Sequence, residues 1–88
     1  MLEQTVEIIN KAGLHARAAS KLVELTSKYT CDIKVGHDKL VDGKSILSLM
    51  MLAAVKGTKV RIIVDGPEEK QALEAICELI ANRFGEAV

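Results

Sequence analysis

A chain of 88 residues makes one domain with one modest core, burying roughly 60–65% of the surface its unfolded form exposes, which leaves little room for an elaborate enclosed active site. Twelve Lys and Arg balance twelve Asp and Glu, and Tyr29 and Phe84 are the only aromatic residues; there is no basic field to draw nucleic acid or an anionic membrane, and no platform for stacking bases. No segment approaches the roughly 20 apolar residues of a membrane span, and Cys31 and Cys77 lack a Cys-x-x-Cys or His-rich neighbourhood, so the expectation is a cytoplasmic protein with reduced cysteines and no metal or cofactor.

The first element runs from Glu3 to Ile9, where Val6 and Ile8 alternate with Thr5 and Glu7 as in a half-buried strand. From Ala16, the positions Ala19, Leu22, Val23 and Thr26 repeat at helical spacing and predict a helix ending near Lys28. Asp32 to Val35 and Leu40 to Val41 flank Gly36-His37-Asp38-Lys39 and predict a hairpin, with His37 a solvated turn residue. A second helix is expected from Ile46 to Val55, with Ser45 as N-cap, Lys56 in the last turn and Gly57 as the stop. Lys59 to Val64 is a strand. Pro67 then suits the first position of a third helix, whose dipole Glu68 and Glu69 complement. That helix is expected to reach Phe84, with Leu73, Ile76, Cys77, Ile80 and Phe84 on its apolar face and Gly85 closing it. The order β-α-β-β-α-β-α is that of an α+β, two-layer open-faced sandwich, a single domain over residues 1–88 with four strands in one sheet and three helices on one face.

Within that order, His15 falls at the N-cap of the first helix. The unpaired backbone N–H groups of Ala16, Arg17 and Ala18 would then project from the helix end beside its ring. Such an end carries roughly half a positive charge, and Arg17 adds a guanidinium fork suited to phosphate oxygens. Histidine titrates near neutrality, and the positive surroundings are expected to favour its neutral form, leaving one ring nitrogen free as a nucleophile toward phosphorus. The plain structural alternative is a capping histidine, a turn glycine at Gly13 and a solvated Arg17.

The second helix carries more apolar residues than one buried stripe accommodates. At about 100° per residue, Leu49, Leu52 and Ala53 fall together, while Ile46, Leu47, Met50 and Met51 fall well over a right angle away. Only one set can face the sheet, so the other is expected to form an exposed apolar patch for partners, methionine suiting a surface that must fit several of them. The alternative is that a neighbouring helix covers the second stripe.

AGLHARAASKLVELTSKY, followed by GKSILSLMMLAAVKGTKVRIIVDGPEEKQALEAICELI, resembles the HPr phosphocarrier proteins of the bacterial phosphoenolpyruvate-dependent phosphotransferase system, or their nitrogen-branch relatives, over essentially the whole chain. The resemblance implies a four-stranded antiparallel sheet with three helices on one face. It implies that His15 takes a phosphoryl group on Nδ1 from enzyme I and hands it to an enzyme IIA domain, with Arg17 orienting the group: a carrier, not a turnover enzyme. By the same resemblance, Ser45 matches a serine that an HPr kinase/phosphorylase modifies in some branches. Ile46, Leu47, Met50 and Met51, with Ala16 and Ser20 on the first helix, match a docking surface shared by partners. The family's usual proline after the arginine is Ala18 here, which restores an N–H able to face phosphate and loosens the first turn slightly.

Two other classes of function fit the residues without the resemblance. One is a small hydrolase of acyl phosphates, which should place a polar group such as an asparagine near Arg17 to hold a water. The other is a noncatalytic interaction domain in which His15 is incidental. The residues do not choose between the sugar and nitrogen branches, and they suggest a monomer.

Overall fold

Val60, Ile62 and Val64 alternate with the exposed Lys59, Arg61 and Asp65, and this period of two makes Lys59–Asp65 a strand with one face in the core. It is central. The computed structural model describes residues 1–88 as β1 (Leu2–Glu7), α1 (Ala16–Thr26), β2 (Asp32–Gly36), β3 (Leu40–Asp42), α2 (Ile46–Met51), β4 (Lys59–Asp65), α3 (Glu69–Ala81) and a short 3-10 turn at Arg83–Gly85. The sheet order is β1-β4-β2-β3, and every pairing is antiparallel. Register sets Val35 opposite Ile62 and Ile33 opposite Val64. These four join Leu22, Leu49, Ile76, Ile80 and Phe84 in a single buried cluster between sheet and helices. The α+β open-faced sandwich with β-α-β-β-α-β-α order is as expected.

β1, α1, α2 and α3 have bounds that differ from the sequence reading by two residues or more, and tertiary packing overrides the local signal at the ends of α2 and α3. β1 ends at Glu7 and is mostly exposed, and the apolar anchor of this segment is the buried Ile8 just beyond it. α1 stops at Thr26, two residues before Lys28, where the Thr26 hydroxyl donates to the Gly43 carbonyl at 2.8 Å.

The helix expected to reach Val55 ends at Met51. Ala53 is left-handed (φ 52°) and exposed, turning the chain so that Ala54 enters the core and its carbonyl accepts from Leu14 N–H at 2.8 Å. Lys56 and Gly57 therefore lie in the following loop and do not close the helix.

α3 begins at Glu69, not Pro67, and Glu68 is its N-cap in a left-handed conformation (φ 63°). It ends at Ala81. Ala72, Ile76 and Ile80 form the buried stripe, with Leu73 and Cys77 half-buried at its margins. Phe84 continues the i+4 spacing from Ile80 but is not helical, since Arg83 and Phe84 are both left-handed (φ 56° and 54°) and the reversal drives the ring into the core. Two such non-glycine residues cost about 1–3 kcal/mol each. Burial of a phenylalanine side chain, roughly 1.5–3 kcal/mol, opposes that strain.

Candidate functional site

Gly13 adopts φ 71°, and a Cβ there would lie 2.5 Å from the Ala54 carbonyl oxygen. Only glycine fits both the backbone and the space. This close approach, with the Leu14–Ala54 hydrogen bond, seats the turn before α1 against the loop after α2. His15 follows in an extended conformation (φ −86°, ψ −176°) and is the N-cap of α1, as expected.

Each ring nitrogen of His15 has a partner. Nδ1 accepts from the backbone N–H of Arg17 at 3.3 Å, a long bond, and Nε2 lies 2.5 Å from Glu86 Oε2. The imidazole remains 34% exposed. Arg17 lines the same open depression, about 590 Å³ in volume, together with Lys11 and Ala12. The N–H groups of Ala16 and Ala18 have no hydrogen-bond partner within the chain, so the helix end offers two free donors beside the ring and a third that is only weakly held.

Glu86 was not foreseen. It stands 71 positions from His15, past the left-handed corner at Arg83–Gly85, and no periodicity or motif around it signals a functional residue. Phe84, sunk in the core, anchors that corner, and Lys21 Nζ donates to its carbonyl at 2.9 Å. The Glu86 carboxyl is held below the ordinary glutamate range chiefly by the Asn10 amide; burial opposes this, and His15 and then Arg17 lower it further. The positive surroundings expected for His15 are therefore only one side of the ring, which lies between a cationic helix end and an anionic carboxylate.

Asn10 is a second residue of the site that no local pattern marks. It is fully buried, and its Nδ2 donates to the Gly13 carbonyl at 2.8 Å and to Glu86 Oε1 at 2.9 Å. With both N–H bonds engaged, it does not present them to a water at Arg17 as the hydrolase alternative requires.

α2 divides as the angular argument predicted. Leu49 and Leu52 are buried, while Leu47 and Met51 are 68% and 76% exposed and Ile46 and Met50 are exposed as well. Ala53, assigned to the inner set, is exposed, and Val55 adds to the apolar surface. Ala16 and Ser20 are exposed on α1. Ser45 caps α2, its hydroxyl accepting from Ser48 N–H at 3.2 Å. His37 is exposed in the hairpin turn, as expected, and in addition its Nε2 lies 3.0 Å from the Leu52 carbonyl, which ties the hairpin to the end of α2. The carbonyls at a helix end lack intrahelical donors, which is why a side chain can cap one there.

A family model described as the PTS HPr component phosphorylation site matches residues 2–82. This chain belongs to the HPr family. Its activity is accordingly histidine phosphotransfer as a carrier of the phosphotransferase system. The chain is similar to the phosphocarrier protein HPr of Pseudomonas aeruginosa, 52% identical over 83 residues that cover 92% of each chain, and to that of Pseudomonas putida, 50% identical over 88 residues that cover 98% of each. Among solved structures it is similar to HPr from Thermoanaerobacter tengcongensis, with a TM-score of 0.95 and 42% identity over the whole of both chains. HPr family membership implies phosphotransferase-system partners, enzyme I and enzyme IIA domains. No helix is long and apolar enough to cross a membrane.

Proposed function

We propose that His15 is the phosphoryl acceptor, through Nδ1, and that the chain acts in the cytoplasm as a single-domain monomer between enzyme I and enzyme IIA domains. One observation carries this reading: the two ring nitrogens have opposite partners. A carboxylate held ionised only accepts, so the ring hydrogen sits on Nε2 and is donated to Glu86, while Nδ1 must be unprotonated to accept from Arg17 N–H. Both contacts select the same tautomer. Its lone pair faces the N-terminus of α1, where phosphate oxygens are stabilised.

Transfer then needs no proton to move. The Nδ1 lone pair attacks phosphorus, the Nδ1–P bond forms as the bond from phosphorus to the phosphorylated enzyme I breaks, and that bond's electron pair stays with the donor. The ring gains positive charge, which Glu86 opposes at 2.5 Å. Arg17 N–H exchanges its 3.3 Å contact with Nδ1 for a phosphoryl oxygen, joined by the N–H groups of Ala16 and Ala18 and by the Arg17 guanidinium. Ala18, in place of the family's usual proline, supplies one of these donors. Delivery to an enzyme IIA domain reverses the sequence.

Incubation with enzyme I and labelled phosphoenolpyruvate tests the assignment. Wild type acquires label and His15→Ala does not, with an unchanged fold; label on that variant at the wild-type rate would overturn it. Ile46, Leu47, Met50 and Met51, with Ala16 and Ser20, form the surface on which both partners dock, and Ser45 is the site at which an HPr kinase/phosphorylase would act. A nitrogen-branch carrier uses the same chemistry on different IIA domains.

A further inference from the structure

Asn10 and Thr26 are the only polar residues with fully buried side chains, and Thr26 is explained by its bonds at the end of α1. Asn10 faces two acceptors at once, the Gly13 carbonyl and Glu86 Oε1, while its own Oδ1 has no hydrogen-bond partner. This pair of acceptors decides the orientation of the amide, since turning it over would set Oδ1 against a carbonyl and a carboxylate. The fold therefore uses the two N–H bonds and leaves the oxygen idle; an apolar side chain would remove that idle oxygen but leave the Gly13 carbonyl and Glu86 Oε1 without this donor.

What those two bonds join is informative. Gly13 belongs to the turn that delivers His15, and Glu86, 76 positions from Asn10, holds Nε2 with its other oxygen. We infer that Asn10 is a positioning residue for phosphoryl transfer: its buried amide ties the Gly13 turn to the Glu86 carboxylate and so keeps His15 with Nε2 protonated and Nδ1 free. This rests on His15 being the acceptor. Without the amide, the only side-chain hydrogen bond left to the Glu86 carboxylate is the one to His15, and the carboxylate is free to turn toward Arg17 or Lys11, which line the same depression. The two tautomers of the ring then compete, and the one protonated at Nδ1 has no lone pair there to attack phosphorus. Asn10 touches neither the ring nor the phosphoryl group and acts through Glu86, in the manner of outer partners that orient a functional histidine.

The test uses the full chain with Asn10→Ala and Asn10→Asp, each alone and combined with Glu86→Ala. The tautomer of His15 is read from its imidazole nitrogen resonances, and the rate of phosphoryl acceptance from phosphorylated enzyme I in a single turnover. Each Asn10 substitution alone should lower the Nε2-protonated population and slow acceptance by about tenfold, the lower end for loss of such an outer partner. In the Glu86→Ala background neither should change further, because the path through Glu86 is already cut. A folded Asn10→Ala that keeps the wild-type tautomer overturns the inference. So does an effect on the tautomer that persists undiminished beside Glu86→Ala, which would make Asn10 a structural element of the turn. Should the Asn10 variants fail to fold, the side-chain amide resonances of Asn10 in Glu86→Ala decide: they should shift from wild type, and unchanged resonances overturn the tie. The tautomer and amide readings need no phosphoryl donor, so they stand apart from a failure of the wild-type chain to accept label, which would instead overturn the role given to His15.

Discussion

In the proposed role of His15, two modest contacts stand in place of an enclosed pocket. A helix end and a carboxylate hold opposite sides of one ring, and the ring stays open to a partner protein. Arg17→Ala should be milder than loss of the histidine, because the backbone donors of Ala16, Arg17 and Ala18 remain. Removing one charge-assisted bond corresponds to roughly 1.5–3 kcal/mol, or about 10- to 100-fold in transfer rate, and an unchanged single-turnover rate would show that the guanidinium does not touch the phosphoryl group. Glu86 makes the site sensitive to acid. Its carboxyl is lowered in the folded state, first by Asn10 and then by His15 and Arg17, so its contribution to holding the C-terminal segment is fully present above the unfolded glutamate value of about 4.3 and is lost as pH falls through the lower folded value. An NMR titration should show Glu86 protonating below the ordinary glutamate range, with Asn10→Ala moving it upward; a Glu86 that titrates at the ordinary value contradicts this.

At the scale of the element, α2 shows how a helix of six residues can be both held and displayed. Alone it would be too short to form, but the Ser45 cap, the His37 bond to the Leu52 carbonyl and the burial of Leu49 fasten one side. The opposite side is left apolar and open. Leu47→Glu or Met50→Glu should therefore weaken binding to enzyme I and to enzyme IIA domains together while barely moving the melting temperature; unfolding by either change would mean that the stripe is core. Ser45 belongs to both sides of the helix. Ser45→Ala should cost about 1 kcal/mol through loss of the cap, whereas Ser45→Asp keeps an N-cap acceptor and places negative charge where the helix dipole favours it. The aspartate sits beside Ile46 and Leu47, where a docking partner must desolvate it. Its effect should appear as a raised Michaelis constant toward enzyme I, smaller than the roughly hundredfold expected of about 3 kcal/mol for a phosphoserine. A normal Michaelis constant with a depressed turnover number would place the defect in the chemistry at His15.

Over the whole molecule, the turn that carries His15, the proposed acceptor, is seated against the loop that follows α2, the proposed docking helix. The Gly13 turn packs against Ala54 so closely that a Cβ would come within 2.5 Å of the Ala54 oxygen, and the Leu14–Ala54 hydrogen bond seals the approach. Gly13→Ala should consequently destabilise the fold by about 1–3 kcal/mol through the left-handed backbone alone, and it should also slow phosphoryl acceptance, since the turn positions His15. Thermal melting together with single-turnover labelling checks both. A variant with normal transfer would show that the site tolerates displacement of the turn.

The sequence by itself determined the order of the elements, the antiparallel-compatible strand pattern, the N-caps at His15 and Ser45, Arg17 and the amides beside it, and the divided faces of α2. These depend on neighbouring residues, because period, capping and turn chemistry act within one or two turns of backbone. Where α2 and α3 stop depended instead on what the rest of the core demanded. Ala54 leaves the helix to meet Leu14, and Phe84 reaches the interior by a left-handed reversal that the i+4 spacing from Ile80 disguised as helix. The same reversal carries Glu86 across to His15, and the buried Asn10 amide receives it there. Only the tertiary structure could decide this half of the site, because it is made by bringing together segments more than seventy residues apart, and nothing in the immediate neighbours of Asn10 or Glu86 encodes the partner that each will meet.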